Sequence, residues 1–238
     1  MSDTQCLLRF RDVSFSYDHG QPVLDCVNFT VAARDRVALV GANGSGKSTL
    51  LHLAVGLLSP DKGVIEAFGE ERRTEEDFYE VRKRIGLLFQ EPEDQLFCPT
   101  VIEDVAFGPL NLGKEPEEAY AIAHKTLGSL GLEGYGERIT YRLSEGEKRL
   151  VSIATVLAME PDVMLMDEPT AGLDRGIVEH IVKILEDLSL TVVAVSHDDS
   201  FLCEITDRTL RLRHGRVEGS ALSVSDQQYT CADGEPAP

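Results

Sequence analysis

The stretch Gly41-Ala42-Asn43-Gly44-Ser45-Gly46-Lys47-Ser48-Thr49 constrains this chain more than any other, because it satisfies the spacing G-x-x-x-x-G-K-[ST] without a mismatch. Glycines let successive backbone N–H groups turn inward around a phosphate chain, and the helix that starts there adds its positive end. Lys47 is then placed to reach the outer phosphates, and Ser48 to hold Mg²⁺. The flanks come in the order such a site needs: Arg36-Val37-Ala38-Leu39-Val40 reads as a buried strand leading in, and 48–55 as a helix leading out. Taken alone, the stretch also suits a Gly-rich turn capping an ordinary helix. With its flanks, it predicts an α/β protein that binds a nucleotide.

Composition removes several alternatives. Lys and Arg number 23 against 41 Asp and Glu, a net charge of −18, and no basic stripe offsets it. Direct binding to nucleic acid or to an anionic membrane is therefore not expected, since both demand a cationic face. The longest apolar runs are strand-length, well short of the roughly 20 residues that cross a bilayer, and no signal peptide is read at the start. The cysteines Cys6, Cys26, Cys98, Cys203 and Cys231 stand singly, without a C-x-x-C pair, which suggests neither a disulfide framework nor a zinc site. A reducing cytoplasm is the expected compartment.

Along the chain, 7–40 alternates short β-rich runs with turn signals such as Asp18-His19-Gly20, the pattern of antiparallel strands ahead of the phosphate loop. Further strands are expected at 64–68 and 85–89. Between 91 and 141 the sequence turns acidic and helix-favouring, punctuated by Pro92, Pro99, Pro109 and Pro116, with an amphipathic helix over 117–130. After it, helices over 146–159 and 177–188 alternate with strands over 163–166 and 191–195. That alternation favours a mostly parallel sheet covered by helices. The expected organisation is a nucleotide-binding core of 1–90 and 147–219, an inserted helical lobe of 91–146, and a polar, disordered tail over 220–238.

The strand at 163–166 runs into Asp167-Glu168-Pro169-Thr170. An apolar strand ending in Asp puts a carboxylate at the carboxyl edge of the sheet, beside the phosphate loop, where it can hold Mg²⁺ directly or through water. Glu168 could orient and deprotonate an attacking water. A surface Asp-Glu pair opening a turn is the plainer alternative.

Leu143-Ser144-Glu145-Gly146-Glu147-Lys148-Arg149 resembles the signature segment of ATP-binding-cassette (ABC) ATPases, usually L-S-G-G-Q, and stands just before the Asp167 strand as in that family. Read alone, Ser144 and Glu147 form a capping box that opens a helix, and the two readings are compatible. A capped helix end exposes N–H groups and partial positive charge, suited to the γ-phosphate of another protomer's ATP. Glu145 and Glu147 depart from the common pattern. Gly146, the position with least room beside the phosphate, is retained, and Glu145 must point away from the nucleotide.

The resemblance covers roughly 7–219 and implies a P-loop NTPase sheet with an N-terminal antiparallel β subdomain and an inserted helical lobe. It implies that Tyr17 stacks on adenine, that Gln90 touches Mg²⁺ and the attacking water, and that His197 hydrogen-bonds the γ-phosphate. Asp174, in Ala171-Gly172-Leu173-Asp174, would cross the dimer interface, cap the next helix, or do both. Two ATP–Mg²⁺ would lie between two head-to-tail cassettes. Each site would pair one chain's phosphate loop with Ser144, Gly146, Glu147 and Asp174 of the other, the second cassette being a copy or a paralogue.

Within the family, 90–97 and 101–113 resemble the ATPases of energy-coupling-factor importers, which take up cobalt, nickel or vitamins. That branch implies integral membrane subunits docking at 90–112, with Glu91, Glu93 and Asp94 as an acidic rim and Leu96 and Phe97 as an apolar contact. It also implies a peripheral location on the cytoplasmic face of the cell membrane. The alternatives are the ATPase of another ABC transporter type, a soluble ABC ATPase outside transport, and a phosphotransferase that uses the same loop.

Overall fold

A helix that is apolar on most sides needs walls on most sides, and the segment after the phosphate loop, KSTLLHLA, is such a helix. The computed structural model describes residues 5–223 and supplies those walls as two sheets. Strands β1 (Cys6–Phe15), β2 (Leu24–Ala32), β4 (Lys62–Ala67) and the short β5 (Glu70–Arg72) make an antiparallel sheet in the order β2-β1-β4-β5. Strands β3 (Arg36–Val40), β6 (Ile85–Leu88), β7 (Val163–Asp167), β8 (Thr191–Val195), β9 (Arg208–Arg213) and β10 (Arg216–Ser223) make the second, in the order β10-β9-β3-β8-β7-β6. From β9 to β6 every pairing is parallel, and β10 returns on β9 as an antiparallel hairpin.

Helix α1 (Lys47–Ala54) lies in the core between these sheets. Its Leu50, Leu51 and Leu53 are buried with Phe10, Val27 and Val31 of the first sheet and Val37, Leu165 and Val193 of the second. The other face of the parallel sheet is covered by α3 (Val101–Asn111), α4 (Pro116–Ser129), α5 (Glu145–Leu157), α6 (Arg175–Asp187) and α7 (Asp199–Ile205). Side chains of β7 alternate between the two cores, Val163 and Leu165 towards α1, Met164 and Met166 towards the other helices. Burial on both faces explains why β7 and β8 read as unbroken apolar runs.

The expected strands and helices recur at nearly the predicted positions, and four details differ. Pro109 does not interrupt the lobe: it sits inside α3, near its end, where the missing N–H removes only one late helical bond. Helix α2 (Glu75–Arg82) has only Phe78 and Val81 buried, too weak an apolar pattern to show in sequence, although Thr74 and Asp77 close a capping box at its start. Strand β10 continues to Ser223, where it pairs with Arg208, so the sheet extends into the segment expected as tail from 220; residues 224–238 lie outside those described. The line drawn between lobe and core at 146–147 falls in the first turn of α5.

Leu53 is fully buried in the core that carries α1. Leu53→Ala is expected to cost about 3 kcal/mol, lowering the melting temperature on the order of 10 °C for a chain of this size, measured by circular dichroism.

Candidate nucleotide site

Four parallel neighbours, β3, β8, β7 and β6, end on one edge of the sheet, and each hands its chain to a segment singled out in the sequence. Residues 41–46 follow β3, His197 follows β8, Asp167 and Glu168 close β7, and Gln90 follows β6. Loops at the carboxyl ends of parallel strands are where ligands bind in such sheets.

The phosphate loop is shaped by both sheets. Gly46, the N-cap of α1, has φ 102°, and a Cβ there would lie 2.9 Å from Leu24 Cδ2 and 3.0 Å from Val23 Cγ1. A Cβ on Gly41 would come within 2.4 Å of the Leu212 carbonyl oxygen. Ala42, Asn43 and Gly44 are exposed at the tip. Lys47 is buried, and its Nζ donates to the carbonyls of Gly41 at 2.9 Å and Ala42 at 3.1 Å. No ion pair to Lys47 is present among the described residues, so a buried ammonium stands without a counter-charge in a loop of inward-turned backbone. Ser45 Oγ is likewise buried without a hydrogen-bond partner. Ser48 occupies the first turn of α1, whose leading N–H groups have no helical acceptor. Next to it, Thr49 Oγ1 and the Tyr17 hydroxyl are 3.1 Å apart, which brings Tyr17 to the loop with its ring half exposed and edge-on to Phe15.

Asp167 is buried at the end of β7, in register with Val195. Glu168 follows at φ 48°, a left-handed conformation that costs a residue with a long side chain and tends to persist at functional sites. Its N–H donates to the Val195 carbonyl at 2.9 Å. Its carboxylate is held by His197: Oε2 accepts the backbone N–H at 3.1 Å, and Oε1 lies 3.4 Å from Nε2. A strained backbone and a two-point grip fix the Glu168 carboxylate at the sheet edge.

Gln90 is exposed, and two residues that sequence reasoning missed hold its loop. The buried Arg149 guanidinium donates to the carbonyls of Phe89, at 2.7 Å, and Gln90. Gln95 donates to the Ser152 carbonyl at 2.9 Å and to Thr155 Oγ1 at 2.6 Å, and accepts from the Phe89 N–H at 3.3 Å. Burial pulls the Arg149 guanidinium below its ordinary pKa, opposed by the surrounding Glu91, Glu145, Glu93 and Asp167. The only sequence signal was an arginine placed among the apolar positions of α5.

Ser144 caps α5 as the capping-box reading expects. Its Oγ accepts from the Glu147 N–H at 3.4 Å, while its N–H and hydroxyl both donate to Glu147 Oε2 at 2.9 Å. Glu147 Oε1 accepts from the Tyr135 hydroxyl at 2.8 Å and Arg138 Nη1 at 2.9 Å. These bonds, first that from the Ser144 backbone, hold its carboxyl below the usual range. Glu145 Oε1 accepts from Lys148 Nζ at 2.9 Å. The crowding at Gly146 comes from this chain itself: a Cβ there would lie 2.0 Å from Ile177 Cδ1 of α6. Asp174 caps α6, accepting the Ile177 N–H at 3.2 Å. Among the described residues every hydrogen-bond partner of the Ser144 and Glu147 side chains lies within 135–147; the sheet edge gathers the loop, Asp167, Glu168, His197 and Gln90, and the next residues of α5, Lys148 and Arg149, connect its opening to the loop after β6.

The ABC transporter family model matches residues 24–171. The energy-coupling factor transporter ATP-binding protein EcfA of Methanothermobacter thermautotrophicus is 42% identical over 92% of this chain and 72% of its own. Among solved structures, cbiO1 of Clostridium perfringens, part of the ABC transporter complex cbiONQ, superimposes with a TM-score of 0.80 at 33% identity, over 90% of this chain and 87% of its own. A dimeric, post-hydrolysis form of the ATP-binding cassette MJ0796, bound to ADP and Pi, gives a TM-score of 0.83 at 27% identity, over 91% of this chain and 98% of its own.

Gly146→Ala is expected to lower stability by about 1–3 kcal/mol through the Ile177 contact, and Gly146→Ala with Ile177→Val should recover most of it in thermal melts. A single variant that melts like the parent would show that Ile177 does not set the need for glycine.

Proposed function

Because the chain belongs to the ABC transporter family of ATP-binding proteins, whose ATP hydrolysis is coupled to transport, we propose that it powers an energy-coupling-factor-type importer. The observation that carries the catalytic part is the pairing, on one sheet edge, of an uncompensated buried Lys47 with a Glu168 carboxylate clamped by His197. The first suits the β- and γ-phosphates of ATP, and the second suits a base that must be aimed before substrate arrives.

In this reading 41–49 wraps the phosphates, Lys47 and the N–H groups of the first α1 turn neutralise them, and Tyr17 stacks on adenine. Glu168 takes the proton of an in-line water, and His197, already tied to Glu168, steadies the γ-phosphate. Among the described residues no group of three or more His, Cys, Asp or Glu could enclose a metal. The oxygen donors Ser48, Asp167 and Gln90 instead offer one carboxylate and two neutral groups, which fits a Mg²⁺ that takes its remaining ligands from phosphate and water. Bound there, Mg²⁺ would draw charge from the phosphates. Positioning and electrostatics carry most of the acceleration in such reactions.

The α5 opening, with Ser144, Gly146, Glu147 and Asp174, completes the site of a second cassette, a copy or a paralogue, in keeping with the dimeric MJ0796 cassette. Integral membrane subunits dock over 90–112. That region borders an apolar hollow of about 230 Å³ whose lining includes Leu57, Leu87, Phe97, Phe107 and Met159. Phe97 and Phe107 meet edge to face at 4.8 Å, yet are 63% and 43% exposed, a large apolar surface left towards solvent. Of the expected acidic rim, Glu93 is already paired with Lys148, while Glu91 and Asp94 are exposed and form no ion pair among the described residues. Among the described residues no helix is long and apolar enough to cross a membrane, and attachment through this hollow makes the chain peripheral on the cytoplasmic face. The cargo is of the class taken by that branch, a cobalt or nickel ion or a vitamin.

Glu168→Gln is expected to keep ATP binding, slow phosphate release by at least about a hundredfold, and trap a closed dimer on size exclusion. Near-parental turnover would remove Glu168 as the base. Phe97→Ser with Phe107→Ser should abolish co-purification of membrane subunits while leaving ATPase activity of the isolated chain within about twofold, because neither residue lies at the sheet edge.

A further inference from the structure

The first turn of α5 carries two carboxylates, Glu145 and Glu147, at the helix end that is to meet phosphate. A helix N-terminus supplies about half a positive charge, so two uncompensated carboxylates would reverse the sign of this surface. The structure disposes of the two differently. Glu145 shares Lys148 with Glu93, one ammonium between two carboxylates. Glu147 depends on Arg138, the only cation that forms an ion pair with it among the described residues.

Arg138 is built into place. Its guanidinium lies 3.6 Å over the Tyr135 ring, and its backbone N–H donates to the Tyr135 carbonyl at 2.8 Å. Its own carbonyl accepts from the Val101 N–H at the start of α3, at 3.0 Å. Tyr135 and Arg138 deliver their donors to the same oxygen of Glu147. That oxygen therefore has a neutral donor and a charged one, and only the second cancels its charge.

Resting on the reading that the α5 opening completes the ATP site of a partner cassette, we infer that Arg138 is a positioning residue for ATP-driven cassette pairing, acting through Glu147. By neutralising and orienting that carboxylate it keeps the Ser144 to Glu147 turn acceptable to a polyphosphate, the task a neutral side chain would perform without help. Arg138 and Glu147 thus form one unit, and neither substitution should be read without the other.

The test is a titration of cassette pairing with Mg²⁺-ATP, followed by light scattering in a Glu168→Gln parent, with the chain and whichever cassette co-purifies with it. Arg138→Gln keeps a donor near Glu147 but removes the charge, and should raise the ATP concentration for half-maximal pairing about tenfold. Arg138→Lys should stay close to the parent. Adding Glu147→Gln to Arg138→Gln should restore parental pairing, because no charge is left to cancel. Unchanged pairing in Arg138→Gln overturns the inference. So does a defect that Glu147→Gln fails to rescue, which would mark Arg138 as a packing residue. A parent that does not pair with ATP at all overturns the interface reading itself, and this inference with it.

Discussion

The site depends on the burial of α1. A helix with leucines on several faces has to be enclosed, while its first turn has to remain open to a charged ligand, and one piece of eight residues must satisfy both. The protein resolves this by clamping α1 between two sheets and letting only its N-terminus emerge at the edge. The clamp also moulds the loop: Val23 and Leu24, from the antiparallel side, press on Gly46, and the Leu212 carbonyl of β9 presses on Gly41. The antiparallel sheet is therefore a wall of the 41–49 loop, although none of its strands carries a residue of the candidate site.

Charge is organised around the same edge. The chain is acidic overall, yet Lys47 is buried with carbonyl partners alone, and Arg149 is buried with carbonyl partners on the loop beyond β6. Desolvated cations left without a carboxylate are costly, and the two serve different ends. Lys47 is available to a ligand's charge, whereas Arg149 gives its two terminal nitrogens to the backbone of Phe89 and Gln90, keeps a buried Nε without a partner, and has only the longer-range field of nearby acids. At the α5 opening the logic is reversed: there acids are present, Glu147 paired with Arg138 and Glu145 sharing Lys148 with Glu93. On an acidic protein a surface of low net charge has to be made by local cancellation, since the global field opposes it.

What could be read in advance follows the range of the interactions. The loop at 41–49 is a local pattern whose backbone geometry is dictated by glycine, so its identity and its flanking strand and helix were legible. Strands β6, β7 and β8 were legible because two-sided burial leaves continuous apolar runs. Helix α2 was hidden by having two buried residues, and α3 was blurred by Pro109. At the site, Glu168 and His197 were each visible as residues after strands, but the clamp between them arises from the β7–β8 pairing, which no local pattern encodes. Gln95 and Arg149 were invisible as a pair because their targets are backbone carbonyls and N–H groups, which leave no residue signature. Gly146 was read as short of room beside a phosphate, whereas the crowding in this chain comes from Ile177 on another helix, which no local pattern encodes.

The segment after β6 shows why such long-range ties matter for coupling. Gln90 stands at the sheet edge, Gln95 is bonded to α5, and Phe97 lies in the apolar hollow, all within eight residues. Asp104 anchors the far end, accepting the N–H groups of Phe97 at 3.0 Å and Cys98 at 2.9 Å and the Thr140 hydroxyl at 2.9 Å. Gln95, Arg149 and Asp104 pin this loop at three points. Two of those pins, Gln95 and Arg149, tie it to α5, whose N-terminal end carries Ser144 and Glu147, and Arg149 also holds the Gln90 carbonyl. Rigid elements that share pinned connections transmit motion as bodies. On the proposed reading, membrane-subunit docking at the hollow and phosphate contact at the α5 opening would both bear on this one helix.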